Sequence, residues 1–402
     1  MKYIIILGDG MADEPIDKLN GKTPLMAANI PHIDALAARG RTGKLVTVPD
    51  DMPPGSEVAN LGVLGYDVYE VLEGRGVLEA ASMGVKLVPS DLALRCNIIC
   101  IENEKIKNHS AGHITTEESH ILIETLNKEL GSDKIEIHPG ISYRHLLVVK
   151  DGSKEIQCTP PHDVPGTPFR DVLVKPNNEK GEETASFLND LIIRSQNILK
   201  DHPVNRKRIN EGKNPGNSIW MWSPGYKPKM KTFGELYGIN SGAVISAVDL
   251  IQGIGVYAGF KIIKVEGATG LYDTNYEGKA EAAVRALNEV EFVYLHIEAS
   301  DEASHEGDVD LKIKTIEYLD NRVVKYIVEK TNEMDEDVAI AILPDHPTPC
   351  KIRTHTREPV PFIIYRPDEA PDTVTEYNEL SVEKGYYGML KGNEFIRALL
   401  GK

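Results

Sequence analysis

Residues 3–10 read YIIILGDG. A continuous apolar run of this kind, dominated by β-branched side chains and closed by Gly-Asp-Gly, predicts a strand buried on both faces of a mostly parallel sheet, followed by a tight turn. Other stretches repeat the pattern: GAVISAV from 242, KIIKV from 261, FVYLHIEA from 292 and VAIAILPDH from 338. Helical patterns lie between them, such as DLIQGIGVYAGF from 249, and HIDALAARG from 32 with Gly40 as a stop. Regular strand–helix alternation predicts an α/β fold built on a doubly wound, mostly parallel sheet.

The middle of the chain reads differently. Between 76 and 216 come short strands (LRCNIICIE, HLLVVK), the helix pattern TTEESHILIETLNKEL and a long helix near 183–201. The polar stretch NRKRINEGKNPGN that follows looks like a linker or hinge. The expected organisation is one discontinuous sheet domain, residues 1–75 and 217–402, with a smaller α/β domain, residues 76–216, inserted into it and the site in the cleft between them.

A formal net charge of −16 argues against nucleic acid or an anionic membrane as partner, since both require clustered positive charge. Cys96, Cys100, Cys158 and Cys350 form no C-x-x-C pair and no disulfide framework, which fits a reduced compartment. The N-terminal apolar run is too short for a signal segment, and no stretch approaches the ~20 apolar residues of a membrane span. The expected location is cytoplasmic. The oligomeric state cannot be read from these features.

Three of the apolar strand patterns run into acid or histidine: Asp9 after the first, Asp301 and His305 after the second, Asp345 and His346 after the third, with His355 just beyond. In open α/β sheets, sites form outside the carboxyl ends of the strands, so chain-distant residues there converge. Mixed carboxylate and imidazole donors suit Mn²⁺ or Zn²⁺ better than Ca²⁺ or Mg²⁺. Three Asp and three His divide into two ligand sets, and two metals about 4 Å apart would clamp both oxygens of a phosphoryl displacement. Each residue alone has a plainer explanation; Asp9, for example, could cap a turn.

Together, LGDGMAD, PPGSEVANLGVLGYD, GATGLYDTNYEGKA, HIEASDEASHEGD, ILPDHPTPC and RTHTREPVPF resemble the archaeal-type, cofactor-independent phosphoglycerate mutases of the alkaline-phosphatase superfamily, essentially end to end. The resemblance implies an alkaline-phosphatase-like domain with two divalent metal ions, Mn²⁺ foremost and Zn²⁺, Co²⁺ or Mg²⁺ chemically compatible, and no 2,3-bisphosphoglycerate. It implies that Asp9, Asp345 and His346 hold one metal, with Ser56 beside it. Asp301, His305 and His355 would hold the other. It also implies that Ser56 is the nucleophile that carries a phosphoserine. A serine before a helical pattern is also an ordinary helix cap, and the two roles are compatible.

The implied substrate is a small phosphorylated hydroxy acid, and arginine is suited to its anionic groups. Arg95, His113 and Arg144 in the inserted segment are the candidate contacts, each with a bland alternative as a surface charge or a cap. Lys279 reads as an ordinary helix-surface lysine. Gly253-Ile254-Gly255 with Gly259 lies inside a helical pattern, and no G-x-x-x-x-G-K-[ST] loop is present, so no nucleotide cradle is expected. The implied reaction is reversible conversion of 3-phosphoglycerate to 2-phosphoglycerate. A homoserine kinase-like phosphotransferase, a metal-dependent phosphomonoesterase and a non-catalytic binding protein on the same scaffold are the alternatives, which fold alone does not separate.

Overall fold

The computed structural model of the chain describes residues 1–402. Its strands, in chain order, are β1 (Lys2–Gly8), β2 (Arg41–Val46), β3 (Leu92–Glu102), β4 (Lys105–Asn108), β5 (Ile135–His138), β6 (Arg144–Val149), β7 (Ile156–Gln157), β8 (Lys175–Pro176), β9 (Ser218–Gly225), β10 (Gly242–Ile245), β11 (Lys261–Ile262), β12 (Phe292–Ile297), β13 (Val338–Leu343), β14 (Val360–Tyr365) and β15 (Gly388–Lys391). The chain divides into two compact units, Met1–Leu72 with Lys229–Lys402, and Glu73–Pro228.

The first unit is built on an eight-stranded sheet of order β11-β10-β12-β1-β13-β14-β2-β15. β1 lies between β12 and β13 and is parallel to both, with Ile5 level with Tyr294 on one side and Ala341 on the other. Only β14 runs against its neighbours. The expectation of an α/β fold with a mostly parallel sheet therefore holds. The alternation of side chains explains the layers. Ile4 and Ile6 face a core shared with Ile33 and Leu36 of the helix Pro31–Ala37 and with Ala280, Ala283 and Leu287 of the helix Tyr276–Leu287. On the opposite face, Phe292 packs against Phe233 and Phe260, and Phe362 meets Phe395 edge-on. Apolar cover on both faces is why the strand sequences are continuous apolar runs.

The second unit is an antiparallel sheet in which β3 pairs with β4, β6 and β9, and β5 extends it beyond β6. The helices Thr116–Leu130 and Glu182–Leu199 contribute to its core. The first starts with a reciprocal capping box between Thr115 and Glu118, as the sequence TTEE favours.

Two readings of this region need correction. The inserted segment extends past the expected border at 216, because β9 is the antiparallel partner of β3, with Cys96 level with Met221. The sequence SIWMWS is an apolar run that fits either sheet, so its pattern does not say which one it joins. The stretch read as a linker is also no free hinge. Pro203–Asn210 forms a helix with Pro203 in its first turn. Asn205, fully buried, donates to the carbonyls of Leu199 (2.8 Å) and Gly216 (2.9 Å) and accepts from the Gly216 N–H. Arg208, also buried, donates to the carbonyls of Asn214 (2.8 Å) and Ala111 (2.7 Å) and pairs with Glu118. Polar composition here marks a buried hydrogen-bond network. Replacing Arg208 by Met should therefore destabilise the protein by about 3 kcal/mol, because it strands a carboxylate and two carbonyls. Urea unfolding checks this; a loss below about 0.5 kcal/mol, the value for an unconstrained surface position, would restore the linker reading.

Candidate active site

The three strands β12, β1 and β13 are adjacent and parallel, so their carboxyl ends meet. Asp9 follows β1, Asp345 and His346 follow β13, and Asp301 lies in the helix Ala299–Glu306 that leaves β12. All four side chains are buried. The turn after Asp9 requires glycine. Gly10 has a φ of +62°, and a Cβ there would come within 2.6 Å of the Asp301 carboxylate and 2.7 Å of the Thr348 hydroxyl.

Asp345 is held on three sides. Its Oδ1 accepts from the backbone N–H groups of Gly10 (3.3 Å) and His346 (2.9 Å), and its Oδ2 accepts from Asn60 Nδ2 (2.8 Å). Asn60 in turn accepts from the Tyr294 hydroxyl at 2.6 Å and donates to the Ser56 carbonyl at 2.9 Å. One buried amide thus ties the Asp345 carboxylate to the helix Ser56–Val63. That helix is seated tightly: a Cβ on Gly62 would lie 2.5 Å from the Thr47 carbonyl. Gly55 occupies the cap position, so Ser56 is the first helical residue and its hydroxyl caps nothing. Its Oγ lies 3.2 Å from Nε2 of His346 instead.

The histidines share one arrangement. Nδ1 of His305 donates to the Arg353 carbonyl (3.0 Å), and Nδ1 of His355 donates to the Pro54 carbonyl (2.8 Å). The Thr348 hydroxyl donates to Asp301 Oδ1 (2.6 Å), so its oxygen is left to accept from Nδ1 of His346 (3.2 Å). In each ring Nε2 is the nitrogen turned inward, the orientation that an outer hydrogen bond gives a metal-binding imidazole. The inward nitrogens of His305 and His355 are 3.1 Å apart, and the His305 nitrogen is 3.0 Å from Asp301 Oδ2. Two imidazole nitrogens and a carboxylate this close require a proton or a cation among them.

The carboxylates point to the same need. Burial, then the charges of Asp345, Asp301 and Glu298, pushes the Asp9 carboxyl well above its usual range. Asp9 Oδ1 is buried with no hydrogen-bond partner. Burial also raises Asp301, but hydrogen bonds from His305 and His355 and the charge of His346 outweigh it and hold that carboxyl well below the usual range. The same contact with Asp301 raises His305 to about 9. Two groups of ligand atoms lie within 4.8 Å of one another: Asp9 with Asp345 and His346, and Asp301 with His346 and His355. The first is one of the two expected sets. In the second, His346 stands where His305 was expected, although His305 touches both Asp301 and His355. Carboxylate and imidazole donors, an orphaned buried oxygen and converging Nε2 atoms fit divalent cations.

In the second unit, Arg95 on β3 forms a 2.8 Å ion pair with Glu79 and lies 4.3 Å over the Trp222 ring. Burial, partly countered by Glu79, lowers its pKa, and the charges of Arg75 and Arg144 lower it further. Arg144, at the start of β6, is exposed beside Tyr143. His113 is exposed in a left-handed turn with φ +52°. Two residues not singled out from sequence join this group. The His109 ring lies 5.7 Å from Tyr143 and 6.1 Å from His162, and His162 lies 5.2 Å from Trp222.

The family described as 2,3-bisphosphoglycerate-independent phosphoglycerate mutase matches residues 37–205. A protein of that name from Methanosarcina acetivorans is 53% identical over 402 residues, covering all of both chains. The chain belongs to this mutase family. A probable member from Geobacter sulfurreducens is 47% identical, again over the whole of both chains. Among solved structures, the PH0037 protein from Pyrococcus horikoshii superposes with a TM-score of 0.85 at 30% identity, covering 100% of this chain and 96% of that one. A cofactor-independent phosphoglycerate mutase from Thermoplasma acidophilum gives 0.71 at 27%, covering 100% and 99%. No helix of the chain is long and apolar enough to cross a membrane.

Within this member of the family, sequence reading missed Asn60, Thr348 and His296, each a buried polar side chain touching a strand-end acid or its neighbour. It also placed Lys279 wrongly. Lys279 is 1% exposed, with Nζ 3.4 Å from the carbonyls of Thr269 and His296, and burial lowers its pKa to about 8. The helix begins at Tyr276, and positions 276, 279, 280, 283 and 287 share its buried face. The spacing was visible; the charge hid it.

Because His305 holds a proton up to about pH 9 when no cation is bound, cation uptake should release it. Apparent affinity for Mn²⁺ should therefore climb with pH up to about 9, by up to roughly tenfold per pH unit for the proton displaced, and level off above. Calorimetry in buffers of different ionisation enthalpy measures both. An affinity flat between about pH 7 and about pH 9 would contradict a protonated His305 in the cation-free chain.

Proposed function

We propose that the chain interconverts 3-phosphoglycerate and 2-phosphoglycerate without 2,3-bisphosphoglycerate, by transfer of the phosphoryl group to Ser56 and back. The observation that carries this reading is the placement of Ser56: first residue of a helix, hydroxyl free of capping, 3.2 Å from His346 Nε2 and beside crowded buried acids. Membership of the mutase family supports the same substrate.

Asp9, Asp345, His346 and Ser56 are proposed to hold one divalent cation, and Asp301, His305 and His355 the other, with Mn²⁺ the first choice for this donor set. Bound there, the cations would polarise the phosphoryl oxygens and make the serine hydroxyl easier to deprotonate. Ser56 Oγ attacks phosphorus in line; the bond to the substrate oxygen breaks and that oxygen takes up a proton, while the serine proton is lost. The first turn of the helix Ser56–Val63 favours the negative charge of the phosphoserine. Glycerate turns in place, its other hydroxyl attacks phosphorus, and Ser56 regains its proton. Arg95, His113 and Arg144 are proposed to hold the carboxylate of the acid, with forked or charged donors suited to it.

The direct experiment follows labelled 3-phosphoglycerate by phosphorus NMR, with and without ATP and homoserine. The expected result is 2-phosphoglycerate at a rate independent of ATP, with inorganic phosphate a minor product. Faster phosphorylation of homoserine than isomerisation would replace the mutase reading with a kinase, and dominant phosphate release would replace it with a phosphatase. Ser56→Ala should keep the fold but lower turnover at least about a hundredfold, since it removes the covalent step. A variant that retains more than that excludes Ser56 as the nucleophile.

A further inference from the structure

β12 alternates in a telling way. Val293, Leu295 and Ile297 face the apolar core, while Tyr294 and His296 face the other side. His296 is 0% exposed, an imidazole in the middle of an apolar sheet, and both of its ring nitrogens are engaged. Nε2 lies 2.8 Å from Asp9 Oδ2, and Nδ1 lies 3.1 Å from the Ser246 hydroxyl.

The direction of these bonds follows from chemistry alone. Beside a bound cation Asp9 is a carboxylate, which only accepts, so Nε2 carries the hydrogen given to it. The Ser246 oxygen already accepts from the Val248 N–H at 3.0 Å, which leaves its own hydrogen for Nδ1. Gln252 Nε2 donates to the Ser246 carbonyl at 2.8 Å and fixes that residue at the end of β10. The chain Val248 to Ser246 to His296 to Asp9 therefore runs one way, with no donor or acceptor left ambiguous. It occupies Oδ2 of Asp9 and leaves Oδ1, the oxygen without a partner, as the one on offer.

We propose that His296, oriented by Ser246, is a positioning residue for the cation centre: it locks the Asp9 carboxylate so that Oδ1 alone faces the bound ion. The inference rests on the proposed role of Asp9 as a ligand. An outer hydrogen bond of this kind both aims a ligand and tunes its charge, and its removal typically weakens metal binding about 10–100-fold.

The test uses the full-length chain, stripped by chelation and titrated with Mn²⁺ by calorimetry, with Co²⁺ absorption as a second readout. His296→Leu should weaken one of the bound ions about 10–100-fold and shift the Co²⁺ spectrum. His296→Gln, which keeps an N–H donor, should recover part of the loss. Ser246→Ala removes a single hydroxyl and should fall between the native chain and His296→Leu, so the idea stays testable if His296→Leu does not fold. Asp9→Asn separates the ligand role of Asp9 from the positioning role of His296. If Asp9→Asn keeps both ions at native affinity, the ligand assignment has failed. If Asp9→Asn loses an ion while Ser246→Ala, and His296→Leu where it folds, bind within about twofold of native with unchanged Co²⁺ spectra, the positioning role is overturned and His296 is a packing residue.

Discussion

Buried carboxylates repel one another, and the carboxyl ends of β12, β1 and β13 bring Asp301, Asp9 and Asp345 together where water is excluded. Much else in this unit answers that repulsion. Asn60, the Gly10 and His346 backbone N–H groups, Thr348 and the His305 ring all direct donors at these acids. One oxygen, Oδ1 of Asp9, receives none. A native fold rarely leaves a buried polar atom unsatisfied without a function for it.

The loops that carry the acids are fastened from behind. Lys312 is fully buried and directs its ammonium to Asp13 Oδ2 (2.9 Å) and to the carbonyls of Ala12 (3.1 Å) and Thr348 (3.0 Å). It thereby joins the loop after β1 to the loop after β13. Asp13 also accepts the Cys350 N–H, and its own N–H donates to Glu379. A buried lysine with three acceptors is an expensive way to pack a core, since removing either partner leaves an uncompensated charge. Its return is a fixed separation between the residues that follow the two strands. The same rigidity reaches Ser56 through Asn60, so the proposed nucleophile is indexed to Asp345 and not merely near it.

How much of this was readable in the chain depends on whether a residue announces itself locally. Asp9 and Asp345 were visible because each ends an uninterrupted apolar run, Asp301 because it follows another within a few residues, and the parallel sheet was visible in the same runs. His296 sits inside such a run, and nothing in FVYLHIEA says whether its imidazole is a satisfied core group or an orienting one; only the neighbouring strand end supplies Asp9. Asn60 lies in a helix where any polar residue suits solvent. Lys279 and Arg208 were misplaced for one reason: charge is taken for exposure, whereas both are buried against carbonyls. The border near 216 failed because a strand pattern carries no address, and β9 reads equally well beside β10 or beside β3. His109 and His162 meet across more than fifty residues of chain, a contact with no sequence signal at all.

The central claim is that the crowded acids and inward-facing imidazoles form seats for two divalent cations per chain. The most direct measurement is stoichiometry: chelated protein at known concentration is titrated with Mn²⁺, and the free ion is followed by its electron paramagnetic resonance signal. The account predicts that the signal stays suppressed until two equivalents have been added, and that Asp345→Asn, which disturbs the most heavily bonded acid, removes at least one of them. Isomerisation at the full rate by protein shown by elemental analysis to hold no divalent ion would contradict it.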